Sequence, residues 1–203
     1  MSSTFFATVS RMKYIDRWAL MRNSRTENLS EHSLEVAMIA HALCSLGNVR
    51  YGRDLDADRA ALIGMYHDAS EIITGDMPTP VKYYNDEIRK AYKEVETVAE
   101  RSLVEKLPED LRSVYENILL PKTPENPETA EKETYMRRLV KAADKLSALI
   151  KCIEEASAGN TEFRTAMQTT QKAVDQLAAD LPEVRDFIEE FLPAYGNTLD
   201  ELR

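Results

Sequence analysis

The chain has 203 residues and a formal net charge of −9, and its composition is that of a folded protein. Apolar residues make up 43% and charged residues 30%, which is typical of a helix-rich globular domain and not of a disordered segment. The acidic balance disfavours broad contact with a nucleic-acid backbone, because such contact depends on clustered lysine and arginine. A local cation must therefore hold any anionic substrate.

The apolar residues recur at helical spacing, with no convincing run of period two, which predicts an all-α fold. The chain length predicts a single domain over residues 1–203, with a core at about 28–160 and C-terminal helices at about 161–203. The longest uncharged stretch near the N-terminus has fourteen residues, too few to cross a bilayer. No secretion signal is found, so we expect a cytoplasmic protein whose Cys44 and Cys152 are buried free thiols.

The N-terminal quarter of the chain is predicted to contain two helices. The first covers about residues 3–15 and is followed by an irregular basic connector over 16–30. Ser30 is a plausible N-cap for the second helix, which runs to about Leu46 and ends at Gly47. A loop is expected over the residues that follow, up to Asp56.

The next helix is predicted to begin at Asp56 or Asp58 and to carry residues 59–74 without interruption. Gly75 is expected to stop it. A glycine and two prolines in residues 75–82 exclude a regular element there and predict a rigid turn.

The remaining residues are predicted to be helical on both sides of an exposed loop. A long amphipathic helix covers about 85–106, and Pro108 closes or kinks the region after it. Residues 121–134 are proline-rich and acidic, which predicts the loop. A helix at about 134–157 and one or two C-terminal helices complete the chain.

The placement of the three histidines is informative. His32 stands at helical spacing from Val36 and Ile39, so it points the same way as the buried stripe of its helix. His41 lies nine residues further on, which at about 100° per residue is the opposite face. His41 is therefore the poor candidate for a functional site.

An unusual cluster of polar groups occurs in MYHDASEIITGD, where His67, Asp68 and Glu71 are predicted to project into one quadrant of a helix. Neighbouring carboxylates in a mostly apolar helix repel each other and lose hydration unless a cation compensates them. A divalent metal with nitrogen and oxygen ligands explains the cluster, and Asp144 is the best match for a further ligand. The proposed metal ligands are His32, His67, Asp68 and Asp144.

Each of these residues also has a plain structural interpretation. An inward histidine such as His32 is often a hydrogen-bonded core residue. Asp144 could be an ordinary carboxylate at the border of an apolar stripe. The group around His67 could be a salt network on a helix surface.

Three short motifs, SEHSLEVA, YHDASE and KAADKLSA, resemble the HD-domain metal-dependent phosphohydrolases. The match is closer still to the bacterial 5'-deoxynucleotidases of that superfamily, because TENLSEHS and TGDMPTPVK look like their signature regions. The resemblance implies a helical HD-domain fold with the metal site between core helices. It also implies that deoxyribonucleoside 5'-monophosphates are hydrolysed to deoxyribonucleoside and phosphate through a metal-activated water.

The resemblance further implies a role for each matching residue. A single divalent ion, Co²⁺ or Mn²⁺ in vitro, is held by the four proposed ligands. Glu71 matches the catalytic carboxylate after the His-Asp doublet, and Arg17 the residue that orients the phosphate. Either Glu71 or Asp76 could protonate the departing 5'-oxygen while the other orients water, and the sequence leaves these two roles open. The residues implied to contact the substrate are Arg17, Trp18, His32, Asp76, Met77, Pro78, Thr79 and Asp144. Members of this group are similar in acting as homodimers. For this chain we expect neither a nucleic-acid polymer nor a membrane as a partner.

Other functions stay open on the residues alone. Another HD-type hydrolase, acting on a nucleoside triphosphate, an alarmone or a cyclic nucleotide, would share the metal motif. A binding module without turnover would share the fold but is expected to lack one ligand or Glu71. Trp18, implied to pack against deoxyribose, could instead be only a core aromatic.

Overall fold

The computed structural model describes residues 2–82, 84–120 and 124–203, with the backbone alone described at residues 79 and 80. Helices carry nearly all of the regular structure in these residues. In chain order the elements are α1 (Phe5–Val9), a 3₁₀ helix (Ser10–Tyr14), β1 (Asp16–Arg17), β2 (Glu27–Asn28), α2 (Leu29–Tyr51), α3 (Ala57–Tyr66), α4 (Glu71–Thr74), α5 (Thr79–Lys82), α6 (Asp86–Glu105), α7 (Glu109–Leu119), α8 (Pro127–Ser157), α9 (Arg164–Asp180), α10 (Pro182–Glu190) and a second 3₁₀ helix (Leu192–Gly196).

The all-α prediction is confirmed by this element order. Within the described ranges, no helix is both long enough and apolar enough to cross a membrane. Cys44 and Cys152 are both buried, as expected, and form no disulfide among the described residues.

The chain forms two compact units. The first unit contains Met1–Ala19, Thr26–Ser33 and Met65–Lys122. The second unit contains Leu20–Arg25, Leu34–Gly64 and Thr123–Arg203. The expected single domain over residues 1–203 stays a prediction.

The core of the first unit fixes the segments that carry the candidate site. Leu29, at the start of α2, and Ala69, just after α3, are fully buried in one apolar cluster. Leu103 of α6 contributes to the same cluster. Asn85 is the N-cap of α6, because its side chain accepts a hydrogen bond from the Ile88 N–H at 2.8 Å. Burial of Leu29 and Ala69 therefore anchors the two polar segments next to them.

The core of the second unit is built mainly on α8, whose buried side chains pack with residues of α2, α9 and α10. Gly64 allows α3 to approach α2 closely in this core. A Cβ atom at Gly64 would lie 3.0 Å from the Cα of Ala37 and 3.1 Å from its nitrogen. A larger residue would therefore force the backbones apart.

A buried ion pair also stabilises the second unit. The ammonium of Lys151 donates to a carboxylate oxygen of Glu155 at 2.5 Å, and both side chains are at most 5% exposed. The same carboxylate accepts hydrogen bonds from the Ser24 N–H and from the side chain of Asn160. Burial alone would raise the pKa of Glu155, but these hydrogen bonds lower it to about 2.

The N-terminal helix predictions are partly wrong. The expected first helix at 3–15 ends as α1 at Val9 and continues only as a 3₁₀ helix. The connector after it contains β1 and β2, which pair antiparallel over two residues each. Asn28, not Ser30, caps α2, since its side chain accepts the N–H groups of Ser30 at 3.0 Å and Glu31 at 3.1 Å.

The predicted end of α2 at Gly47 is also wrong. The helix continues to Tyr51 and is followed by Gly52, which has a φ of 62°. Gly47 is instead a close contact, because a Cβ atom there would lie 3.0 Å from a carboxylate oxygen of Glu183. Asp56 is confirmed as the cap of α3, since it accepts the Arg59 N–H at 2.9 Å.

Two segments expected to be irregular are helical. Residues 75–82 were expected to be a turn, but Thr79–Lys82 form the single-turn helix α5, with proline tolerated in its first turn. The loop expected over 121–134 is wrong from Pro127 onward. There α8 begins, with the Asn126 side chain accepting from the N–H groups of Glu128 and Thr129. Residues 121–123 lie outside the described residues.

We predict that Gly64→Ala lowers the free energy of unfolding by about 1–3 kcal/mol, because the added methyl group overlaps the backbone of Ala37. Urea denaturation measures the change. Gly196→Ala is the matched control, since the nearest atom to its added Cβ is 3.5 Å away, and it should shift stability by no more than about 0.5 kcal/mol. Equal stability of the two variants would contradict the close contact.

We also predict that Glu155→Gln destabilises the protein at neutral pH by about 3 kcal/mol, because it leaves Lys151 buried without its counter-charge. The pKa of Glu155 is lower in the folded state than its ordinary value of 4.5. The stabilisation is therefore complete above about pH 5 and declines as the pH falls toward 2.

Urea denaturation of both proteins between pH 7 and pH 3 measures this dependence. The difference in stability should narrow as the pH falls. Glu162→Gln is the control, because Glu162 pairs with an Arg22 side chain that is 90% exposed. That variant should change stability by less than about 1 kcal/mol, and a difference for Glu155→Gln that is constant with pH would contradict the prediction.

Candidate active site

Three polar side chains of the first unit converge on one point. Donor atoms of His32, His67 and Asp68 all lie within 4.8 Å of one another. An Oδ atom of Asp68 is 3.1 Å from Nε2 of His67 and 3.6 Å from Nε2 of His32. The two imidazole rings stand edge to face, with centroids 5.1 Å apart. The structure thus assembles two nitrogen donors and one oxygen donor.

The convergence depends on where the two segments are anchored. His32 is in the first turn of α2, one turn after the buried Leu29, and is itself fully buried. His67 and Asp68 directly precede the buried Ala69 and are 15% and 22% exposed in their side chains. The imidazole of His32 is therefore enclosed by the core, whereas His67 and Asp68 stay partly accessible to solvent.

The predicted continuous helix through residues 59–74 is wrong. α3 ends at Tyr66, and α4 begins at Glu71. The turn between them is tightened by hydrogen bonds over three residues, from Ala69 N–H to the Tyr66 carbonyl and from Glu71 N–H to the Asp68 carbonyl. This turn, rather than helical periodicity, brings His67 and Asp68 to His32. Gly75, with a φ of 74°, ends α4 as predicted.

The arrangement fits a divalent cation. Ligand atoms bound to one transition-metal ion at about 2.0–2.2 Å stand about 3–3.5 Å apart, close to the two distances at Asp68. Two imidazoles and a carboxylate are a donor set that suits ions such as Zn²⁺, Co²⁺ and Mn²⁺. His32 is fully buried beside a carboxylate, so water does not solvate its imidazole. A bound cation would stabilise both groups.

Two further carboxylates lie close to this cluster. Glu71 is only 6% exposed, and burial together with the charges of Asp68 and Asp76 raises its pKa to about 9. Burial also raises the pKa of Asp76, although the charge of Arg17 and a hydrogen bond from the Trp18 backbone N–H act in the opposite direction. This excess of negative charge is a second reason for a cation here.

Arg17 and Trp18 come from the β1 hairpin of the same unit. The guanidinium of Arg17 lies 5.8 Å from the Trp18 ring centre, and its charge lowers the pKa of both Glu71 and Asp76. Trp18 has a φ of 57°, which is uncommon for a residue with a bulky side chain. Its backbone N–H donates to Asp76, so the hairpin and the turn after α4 are joined.

The other residues considered for the site make fewer described contacts with the cluster. Met77 is half-buried and Pro78 is exposed, while the side chain of Thr79 lies outside the described residues. Asp144 belongs to α8 of the second unit, where its carboxylate is 2.9 Å from the ammonium of Lys145. His41 is half-exposed and lies 3.6 Å from Asp58.

Two residues near the carboxylates were missed by the sequence reasoning. Glu27 pairs with Arg17, and Lys82 pairs with Glu96 at 2.6 Å while its charge lowers the pKa of Glu71. Both occur inside motifs that were recognised as specific, TENLSEHS and TGDMPTPVK. A charged residue within a recognised motif was the signal that could have found them.

Comparison with known proteins connects this geometry to a family. Residues 4–195 match the family model described as 5'-deoxynucleotidase YfbR-like. The chain is similar to a 5'-deoxynucleotidase of Erwinia tasmaniensis, at 49% identity over 200 residues that cover 98% of this chain and 96% of the relative. It is similar to the 5'-deoxynucleotidase YfbR of Salmonella typhi at 47% identity with the same coverage.

Solved structures show the same helical fold. An HD-domain phosphohydrolase from Listeria innocua has a TM-score of 0.76 at 22% identity, covering 95% of this chain and 88% of that chain. The HD phosphohydrolase of cyanophage S-2L, bound to dA and one catalytic Zn²⁺ ion, has a TM-score of 0.58 at 19% identity, with 97% of each chain covered. These matches confirm the predicted HD-domain fold.

We predict that Asp68→Ala abolishes binding of Co²⁺ or Mn²⁺, because it removes one of the three converging donors. Glu71→Gln should retain the ion and lose most turnover. Metal content after loading and desalting measures the first effect, and phosphate release the second. His41→Ala is the control and should retain full metal content; retention of the ion by Asp68→Ala would contradict the assignment.

Proposed function

The chain belongs to the family of YfbR-like 5'-deoxynucleotidases, which are phosphoric monoester hydrolases, and we propose that its own site hydrolyses deoxyribonucleoside 5'-monophosphates to deoxyribonucleoside and phosphate. The observation that supports this most directly is the cluster of His32, His67 and Asp68 beside a buried glutamate. A module that only binds a nucleotide would not need both a metal cluster and a buried carboxylate next to it.

We propose that the cluster holds one divalent cation, Co²⁺ or Mn²⁺ in vitro. Asp144 is proposed as the fourth ligand on the strength of the motif KAADKLSA alone. When bound, such an ion supplies hydroxide at neutral pH and neutralises charge on the phosphate.

Arg17 is proposed to orient the phosphate. Phosphoryl transfer depends on positioning and charge neutralisation more than on covalent chemistry by the protein. A guanidinium offers paired N–H donors for phosphate oxygens, and the net charge of −9 makes a local basic group necessary. The effect of Arg17 on the pKa of both site carboxylates supports its position at the reacting end of the substrate.

Glu71 is proposed as the group that transfers the proton, and Asp76 as the group that orients the attacking water. The carboxylate of Asp76 already accepts the Trp18 N–H, which fixes its direction. One carboxylate oxygen of Glu71 is buried and has no hydrogen-bond partner among the described residues. A buried oxygen in that state gains a partner from the reacting water or from the departing 5'-oxygen.

Trp18 is proposed to select the sugar. Its ring would pack against deoxyribose and leave no room for a 2'-hydroxyl group. The backbone agrees with a functional role, because Trp18 combines an unusual φ of 57° with a backbone hydrogen bond to Asp76, and residues in such conformations cluster at functional sites. His32 and Asp144, together with the turn residues Met77, Pro78 and Thr79, are proposed as further substrate contacts. Homodimeric assembly and a cytoplasmic location stay predictions.

We predict that the purified protein releases phosphate from dAMP at least about tenfold faster than from AMP, because one excluded hydroxyl group is worth a factor of this order or more. Activity should require added Co²⁺ or Mn²⁺ and be lost with a chelator. A panel with a nucleoside triphosphate, an alarmone and a cyclic nucleotide tests the other HD-type hydrolases. Equal rates on dAMP and AMP, or rates unaffected by the chelator, would contradict the proposed function.

A further inference from the structure

Glu27 occupies a position that the proposed reaction does not explain. It lies in the motif TENLSEHS and forms half of the two-residue strand β2. In the hairpin Glu27 stands directly across from Arg17, and the neighbouring pair joins Asp16 with Asn28. Arg17 and Glu27 are therefore cross-strand partners in a hairpin of two residues per strand.

The two side chains form an ion pair that is largely removed from water. Nη1 of Arg17 donates to a carboxylate oxygen of Glu27 at 2.5 Å. The arginine side chain is 11% exposed and the glutamate side chain 14%. Exposed ion pairs leave both side chains free to change rotamer, whereas a pair this buried restricts them.

An arginine that binds phosphate gains from such a restriction. Its long side chain has many rotamers, and its guanidinium is effective only when the plane of its N–H donors faces the phosphate oxygens. Glu27 accepts one N–H of this plane and so limits rotation of the guanidinium. The backbone pairing of Arg17 with Glu27 keeps the carboxylate in place.

The position of the pair agrees with this role. The charge of Arg17 lowers the pKa of both Glu71 and Asp76, so its guanidinium lies near the carboxylates of the proposed site. Trp18, the next residue, donates its N–H to Asp76. Glu27 lies on the other strand and is therefore placed to hold the guanidinium of Arg17 from outside the proposed site.

We propose that Glu27 is a positioning residue that orients the guanidinium of Arg17 for the phosphate group of the substrate. This inference rests on the proposed function and assigns a role to a residue outside the metal cluster and the proton-transferring carboxylates. It requires that Glu27 acts through Arg17, that its hydrogen bond matters more than its charge, and that its loss weakens substrate binding more than the rate of bond cleavage.

The experiment compares Glu27→Ala, Glu27→Gln, Arg17→Ala and the double variant Arg17→Ala/Glu27→Ala in steady-state hydrolysis of dAMP. Glu27→Ala should raise KM about tenfold and change kcat by less than about threefold, because contact with the phosphate is made in the ground state and the transition state alike. Glu27→Gln, which keeps an acceptor for Nη1, should stay within about threefold of the wild-type kcat/KM. The double variant should be no worse than Arg17→Ala.

A binding measurement makes the result independent of turnover. The dissociation constant of dAMP is measured calorimetrically with Co²⁺ present in the Glu71→Gln background, which keeps the ion and loses most turnover, and it should rise when Glu27→Ala is added and not when Glu27→Gln is added. Glu190→Ala is the matched control, because Glu190 pairs with Arg50 at the same 2.5 Å but is about half-exposed and lies in the second unit. That variant should leave both KM and the dissociation constant at the wild-type values.

Each outcome decides the inference. If the wild-type protein hydrolyses or binds dAMP and the Glu27→Ala variant does so equally well, the role of Glu27 is overturned and the proposed function stands. A further loss when Glu27→Ala is added to Arg17→Ala also overturns it, because Glu27 then acts by another route. A wild-type protein that neither hydrolyses nor binds dAMP overturns the proposed function, and this inference with it.

Discussion

The convergence of two imidazoles and a carboxylate inside a protein is unfavourable unless something compensates it. Here His32 is fully buried, Asp68 is close to both histidines, and Glu71 is almost completely removed from water. Without a cation, the carboxylates raise one another's pKa and lose hydration. The apolar cluster around Leu29 and Ala69 supports this arrangement by holding both segments in place. The proposed chemistry depends on the same buried carboxylates and on the cation that would compensate their charge.

The β1–β2 hairpin meets a second need of the same site. In an acidic protein, a phosphate substrate requires a basic group that is held in one orientation. Two residues per strand are enough for this, because the backbone pairing and the ion pair join the same two residues, Arg17 and Glu27. Trp18, in its left-handed conformation, links the hairpin to Asp76. The proposed roles of Arg17 and Glu27 thus make the hairpin part of the site despite its small size.

Much of the fold and of the site could be predicted from local patterns. Helical periodicity was sufficient for the all-α class, and the caps at Asp56 and the stop at Gly75 follow from the chemistry of those residues. Errors arose where a local signal has two meanings. A glycine at position 47 predicts a helix end, but Gly47 lies inside a longer helix, where it packs closely against Glu183. A proline at position 127 predicts a loop, but Pro127 occupies the first turn of α8, where proline is tolerated.

The sequence by itself determined the fold class and, through the resemblance of short motifs, the family, and it singled out His32, His67 and Asp68, whose side chains converge in the structure. Tertiary structure decided how those residues meet. His67 and Asp68 reach His32 through a tight turn after Tyr66 and not along one helix face. The pairing of Arg17 with Glu27 likewise depends on a register between strands that lie ten residues apart. Periodicity describes only neighbours along one element, whereas contacts between elements are set by packing and by hydrogen bonds across the fold.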